Sequence, residues 1–270
     1  MAYRAIPPVF GGFIDDAAVF PPGNAAVSTA LDNHRRYRLS WYADLVGPLL
    51  LPVSKLSQVP DQDGPLRVGL IADTGVTELA AAVDTLPSGC VPAQIEARPS
   101  GDDDLATLRG LAERFRIPIF AEIPVISDFD VELPLLRHAG ATPKFRTGGL
   151  SAELFPTPEE LATAITACAR QDMSFKLTAG LHQFTRHTDA ATGFTHHGFG
   201  NVLAAAELAH RSESVESVTE CLKIRDSTVL AERVRKMLGN QRPLWVGFGS
   251  CSIDEPLDDL SGLSLVNKEN

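Results

Sequence analysis

Two lysines, Lys144 and Lys176, are the residues of this 270-residue chain best placed to do covalent chemistry. Each lies in a short strand-like run, PKFRTGG from position 143 and SFKLTAGLH from position 174, and each run enters a glycine-bearing turn. Buried strands rarely carry lysine, because an unpaired ammonium in a core is costly. One reading is structural: ion pairs with Glu96 or Glu122 would fill the polar end of a core. The other is amine chemistry. A lysine near a second cation, or partly desolvated, has a lowered pKa and can attack a carbonyl as the free amine.

Such lysines need elements to hold them at neighbouring places, and the chain alternates strand and helix signals throughout. Strand-like runs fall at 9–20 (interrupted by Asp15 and Asp16), 48–53, 66–73, 92–97, 117–123, 143–147, 174–179 and 244–248. Helical patterns fall at 28–42, 76–86, 103–115, 130–138, 158–170, 201–210 and 227–238. The helix from Pro158 has the clearest start, with Thr157 as N-cap, proline in the first turn and Glu160 completing a capping box. Eight short, continuously apolar strands separated by helices predict a parallel sheet. In this length they predict one closed (β/α)8 TIM barrel over residues 1–270. No GxGxxG follows the first strand, which argues against a dinucleotide-binding sheet.

In such a barrel, function gathers at the C-terminal ends of the strands. Those ends offer Asp15 and Asp16, Lys55, Asp73, Glu96 and Arg98, Glu122, Lys144 and Arg146, Lys176, Thr178 and His182, and the loop Gly249-Ser250-Cys251-Ser252. Side chains alternate along a strand, so Lys144 shares a face with Arg146, and Lys176 with Thr178, Gly180 and His182.

KFRTGG, then TPEELATAI, then FKLTAG resembles the sixth-to-seventh-strand segment of the deoxyribose-phosphate aldolase group. There a K-x-[ST]-T-G strand precedes an A-T-P-E helix start and a K-x-x-G-G strand follows. FGSCS in the last strand is similar to that group's F-G-A-S-S phosphate loop, and Glu122 resembles the glutamate of its fifth strand. The resemblance spans about 50 residues and the final strand. It implies a Schiff base on Lys144, a pKa-depressing Lys176, and a phosphate held by Gly249, Ser250 and Ser252. Arg146 stands where the group has serine or threonine, His182 where it has arginine, and Glu96 and Arg98 where it has a catalytic aspartate. Proton transfer then falls to Glu122 or Glu96. Asp15 or Asp16 would supply a first-strand acid, and Asp16 is the candidate carried forward. Arg146, Thr178, Gly180 and His182 would contact the substrate.

The expectation is a metal-independent, class I aldolase-like lyase without a cofactor, acting on a small phosphorylated or carboxylated carbonyl compound. Two alternatives are a metal-assisted barrel using Glu96, Glu122 and the histidines of loop 183–199, and a non-catalytic ligand-binding barrel. That loop reads either as a lid or as a metal site. A net charge of −10 argues against nucleic acid or an anionic membrane as partner, while allowing a locally basic pocket for an anionic substrate. No apolar run is long enough to span a membrane, the N-terminus lacks signal-peptide features, and four scattered cysteines form no CxxC pair. A cytoplasmic location is therefore expected, and a homo-oligomer is compatible with the sequence.

Overall fold

A computed structural model describes residues 6–267. Eight parallel strands close into a barrel: β1 (Ile14–Asp16), β2 (Val46–Pro52), β3 (Leu66–Ile71), β4 (Cys90–Ala97), β5 (Ile119–Glu122), β6 (Ala141–Arg146), β7 (Phe175–Thr178) and β10 (Trp245–Ser250). The numbering skips two short strands, β8 (His187–Thr188) and β9 (Thr195–His196), which pair as an antiparallel hairpin outside the barrel. Strand β10 pairs with β1 and β7, completing the circle. The chain is a (β/α)8 barrel, as its alternation predicts. Among the described residues, no helix is long and apolar enough to cross a membrane.

Helices α1 (Val27–Arg38), α2 (Val76–Val83), α3 (Asp102–Phe115), α4 (Phe129–His138) and α5 (Pro158–Arg170) follow β1, β3, β4, β5 and β6. After β2, the chain makes only a 3-10 turn, Val53–Gln58, in place of a crossover helix. Helix α5 has the capping box its sequence calls for: the Thr157 hydroxyl accepts from the Glu160 N–H, and Glu160 accepts from the Thr157 N–H. Between β7 and β10 come α6 (Phe199–His210), α7 (Val215–Lys223) and α8 (Ser227–Arg235), and α9 (Asp254–Gly262) follows β10.

The strand-to-helix layer is apolar. Alternate residues of the strands, such as Leu49, Leu51, Val68, Leu70, Ile95, Phe145 and Leu177, are fully buried there. At the N-terminal end, Phe13 meets Trp245 and Phe248 edge-on, with ring centroids 4.8 and 5.1 Å apart. The Arg242 guanidinium covers the Phe13 ring at 4.6 Å and donates to the carbonyls of Val9, Trp245 and Val246, closing that end. The opposite end, where the strands finish, is the mouth.

The glycine turns after β6 and β7 have a packing reason. The Thr147 N–H donates to the Thr178 carbonyl at 2.9 Å and its hydroxyl to the Ala179 carbonyl at 2.6 Å, which draws the two turns together. A Cβ on Gly148 would lie 2.7 Å from the Gly180 Cα and 2.9 Å from its nitrogen. Backbone against backbone cannot relax by a rotamer change. Gly148→Ala is therefore expected to destabilise the protein by about 1–3 kcal/mol, measured by urea unfolding, as overpacking of a tight contact does.

Candidate active site

The barrel interior carries a chain of alternating charges. Asp15 on β1 accepts from Lys176 on β7. The Lys176 ammonium also lies 2.8 Å from Glu96 Oε1 on β4, and Glu96 Oε2 accepts from Lys144 Nζ on β6 at 2.8 Å. Lys144 Nζ then lies 3.0 Å from Glu122 Oε2 on β5. At the mouth, Glu122 Oε1 accepts from Arg146 Nε at 3.1 Å and from the Arg98 guanidinium. Register explains the order. Glu122 is level with Lys144, Lys144 with Lys176, and Lys176 with Gly247, so the shear of the barrel arranges the groups along one inner diagonal.

Room for these groups comes from small residues on the far wall. A Cβ on Gly47 of β2 would fall 2.0 Å from the Asp15 carboxylate oxygen. Gln94 of β4 braces the deep end, its amide donating to Asp15 Oδ2 at 2.7 Å and to Glu96 Oε1 at 2.9 Å. Phe120 floors it, with the Lys176 ammonium 4.4 Å from its ring centroid. Gln94 was not among the sequence candidates, although it sits two positions before Glu96 and so shares its face.

Electrostatics follow from this packing. Burial pushes the Glu96 carboxyl up, but Lys144 and Lys176 outweigh it and hold its pKa at about 2. Glu122 is likewise opposed by burial and held at about 2 by Lys144 and Arg146. Burial depresses Lys176, yet Asp15 and Glu96 more than offset this, so its pKa lies above the usual lysine value. Asp15 is pushed up by burial, with Lys176 opposing. The two lysines are adjacent, but Glu96 stands between them and accepts from both. Direct depression of one amine by the other, which the resemblance implies, is therefore screened by that carboxylate.

Several sequence candidates occupy other places. Asp16, the first-strand acid expected from the sequence, faces outward, and its Oδ2 lies 3.1 Å from His34 Nδ1 on α1. The interior acid is Asp15. Neighbouring strand residues point to opposite faces, and only the pairing of β1 with β10 and β2 selects which of the two enters the barrel. In the last loop, the Ser250 hydroxyl donates to the Ser252 carbonyl at 2.7 Å, and the Ser252 hydroxyl accepts the Glu255 N–H at 3.2 Å. These hydroxyls serve the turn into α9, whose first turn carries Asp254 and Glu255. Acidic residues there oppose an anion. Gly249 lies within β10 level with Asp15, Thr178 ends β7, and Gly180 packs against Gly148 as described. His182 reaches the first turn of α9, with Nδ1 2.8 Å from Glu255.

The histidines of the long loop do not converge. His196 bonds the Gly180 carbonyl through Nδ1 at 3.1 Å and stacks on His187. His197 is buried, with Nε2 2.8 Å from the Pro156 carbonyl and Nδ1 3.3 Å from Arg186. Burial and the Arg186 charge lower its pKa to about 4, so the ring is neutral. Glu96 and Glu122 are committed to cations. Among the described residues, no three His, Cys, Asp or Glu side chains come together as a metal site. The residues present do not fit the metal-assisted alternative.

No protein-family model and no curated protein matches this sequence. Two solved structures are similar in outline. One is an archaeal fructose 1,6-bisphosphate aldolase, 12% identical over 97% of this chain and 94% of that chain, with a TM-score of 0.43. The other is a protein from Coccidioides immitis assigned as a fructose-1,6-bisphosphate aldolase, 10% identical over 69% of this chain and 68% of that one, with a TM-score of 0.31. At those values the likeness carries no argument about activity. The site has to speak through its own geometry.

Proposed function

We propose that this barrel is a lysine-dependent carbon–carbon lyase of the aldolase type. Its substrate would be a small carbonyl compound bearing a carboxylate or phosphate. The observation that carries this reading is the buried run of Lys144, Glu96 and Lys176 across three strands, opening through Glu122 to two arginines at the mouth. Lys144 is the nucleophile. It is 5% exposed against 1% for Lys176 and, unlike Lys176, touches Glu122, which meets the two arginines. Its amine attacks the carbonyl carbon, water leaves, and the protonated imine draws in the electrons of the bond being cleaved. Glu122 and Glu96 carry protons during these steps.

Arg98 and Arg146 are the better anion anchors, being 71% and 36% exposed while both touch Glu122. Their engagement also changes the basicity of Glu122. A carboxylate near pKa 2 is a poor base. A substrate anion that draws both guanidiniums to itself leaves Glu122 facing Lys144 alone, so its proton affinity rises and it can take the lysine's proton. Lys176 stays cationic, held by Asp15 and Glu96.

Borohydride reduction in the presence of small carbonyl compounds tests this. Peptide mapping is expected to find the reduced adduct on Lys144 with compounds that carry an anionic group, and on no residue of a folded Lys144→Ala variant. Replacing Arg98 and Arg146 together by alanine should lower adduct formation about tenfold or more for anionic compounds, and far less for an uncharged aldehyde. A folded protein that yields no adduct on either lysine with any compound removes the proposal. One observation favours the non-catalytic reading: every buried charge of the cluster already has an opposite charge within 3.1 Å. That reading predicts ligand binding without any trapped adduct.

A further inference from the structure

We propose that Cys251, His182 and Glu255 form a separate nucleophilic thiol site at the barrel mouth, one that reacts with small disulfides. The three residues come from different elements. Cys251 follows β10 directly, His182 lies four residues beyond β7, and Glu255 is in the first turn of α9. His182 Nδ1 is 2.8 Å from Glu255 Oε2, and His182 Nε2 is 4.0 Å from Cys251 Sγ. The carboxylate accepts from Nδ1 and turns Nε2 toward the sulfur. That is the nucleophile–base–orienter arrangement of thiol enzymes, built here outside the lysine cluster.

The other cysteines lack this company. Burial pushes Cys168 up to about 12 and Cys221 up to about 11, and the Cys221 sulfur meets the Asn201 carbonyl. Cys90 is partly exposed but is raised by burial and by Asp61. Cys251 too is raised, by burial and by Glu255, so it rests as the thiol and needs a base at the moment of reaction. His182 is that base. Acyl transfer fits the surroundings less well, because the Ser252 N–H donates to the Ser250 hydroxyl and the α9 turn is acidic, which leaves an oxyanion poorly served. Thiol–disulfide exchange needs no oxyanion site.

In the reaction, the thiol proton passes to His182 Nε2 and the Cys251 thiolate attacks one sulfur of the disulfide. The S–S bond breaks, a Cys251 mixed disulfide forms, and the departing thiolate takes the proton from His182. The small disulfide is itself the oxidant: Cys251 is oxidised to the mixed disulfide and the other half leaves reduced, as the thiol. The adduct would stand beside the ends of β7 and β10, where it narrows the approach to the interior.

The test uses oxidised glutathione as probe, with the modification rate of each cysteine followed by peptide mass spectrometry. Cys251 is expected to react about tenfold or more faster than Cys90, and His182→Gln to remove that advantage while leaving the Cys90 rate unchanged. Glu255→Gln should slow Cys251 by a smaller factor. Added imidazole should restore the rate in His182→Gly. Should the His182 variants unfold, Cys168 and Cys221 will become reactive and report it, and the surface variant Glu255→Gln then decides. A Cys251 no faster than Cys90, or indifferent to the His182 change in folded protein, overturns the site. So does an unchanged rate in Glu255→Gln when the His182 variants cannot be used.

Discussion

Glu96→Ala is expected to cost about 3–5 kcal/mol of folding stability, the loss typical of breaking a buried ion pair on one side. Glu96 is 1% exposed and takes hydrogen bonds from Lys144, Lys176 and Gln94. Removing its carboxylate leaves two buried cations facing one another across a cavity, with only Glu122 left beside Lys144 and only Asp15 beside Lys176. Urea unfolding measures the effect. The companion variant Glu96→Leu with Lys144→Met removes a cation together with the anion, leaves Lys176 with Asp15 and Glu122 with the two arginines, and should recover a large part of the loss. Well-packed apolar residues often replace a buried pair without penalty. A loss below about 1 kcal/mol in Glu96→Ala would mean that water reaches the lysines freely. That would make the cluster a solvated mouth rather than a desolvated interior.

Acid is expected to unfold the protein in two stages. His197 has its folded pKa lowered to about 4 from an ordinary 6.5, so its contribution is fully present above 6.5 and is lost as pH falls toward 4. The difference corresponds to about 3 kcal/mol. Glu96 and Glu122, each lowered from 4.5 to about 2, contribute above 4.5 and lose that contribution as pH falls toward 2. Each is worth on the order of 3 kcal/mol taken singly, and because both lean on Lys144 the two losses do not simply add. Asp15 acts in the opposite sense. Burial raises its pKa, so its protonation in acid favours the folded form and softens the second stage. Unfolding free energy measured against pH should therefore fall between 6.5 and 4 and again below 4.5. His197→Gln should flatten the first decline and Glu122→Gln the second. A stability that stays level from pH 6.5 to 4 would show that His197 takes up its proton as readily in the fold as in the unfolded chain.

Much of the architecture was legible in the chain. Runs such as LRVGLI and FKLT are apolar, short and bounded by turns, and buried parallel strands have no other way to look. The start of α5 was readable because its capping box is local. Helices α7 and α9 lie outside the helical patterns the sequence predicts. Val215, Val218 and Leu222 with Ser214 as cap carry a helical period that was there to be read, whereas Asp254–Gly262 is polar and contains a proline. The loop at 183–199 gave no hint of its hairpin, since two-residue strands have no periodicity.

For the candidate site, residue types and strand ends pointed to Lys144, Lys176, Glu96, Glu122 and Arg146 as groups that would converge, and they do meet, because period-2 alternation and the barrel's polarity are properties of the chain itself. What only the tertiary structure decided depends on register across strands distant in sequence. It placed Asp15 rather than Asp16 in the interior, put Glu96 between the two lysines, brought Gln94 beneath them, and turned the Ser250–Ser252 hydroxyls to their own backbone. It also brought His182 and Cys251, 69 residues apart, to the same side of the mouth. A sequence fixes which faces a strand offers. Pairing and shear around a closed barrel fix which of those faces meet.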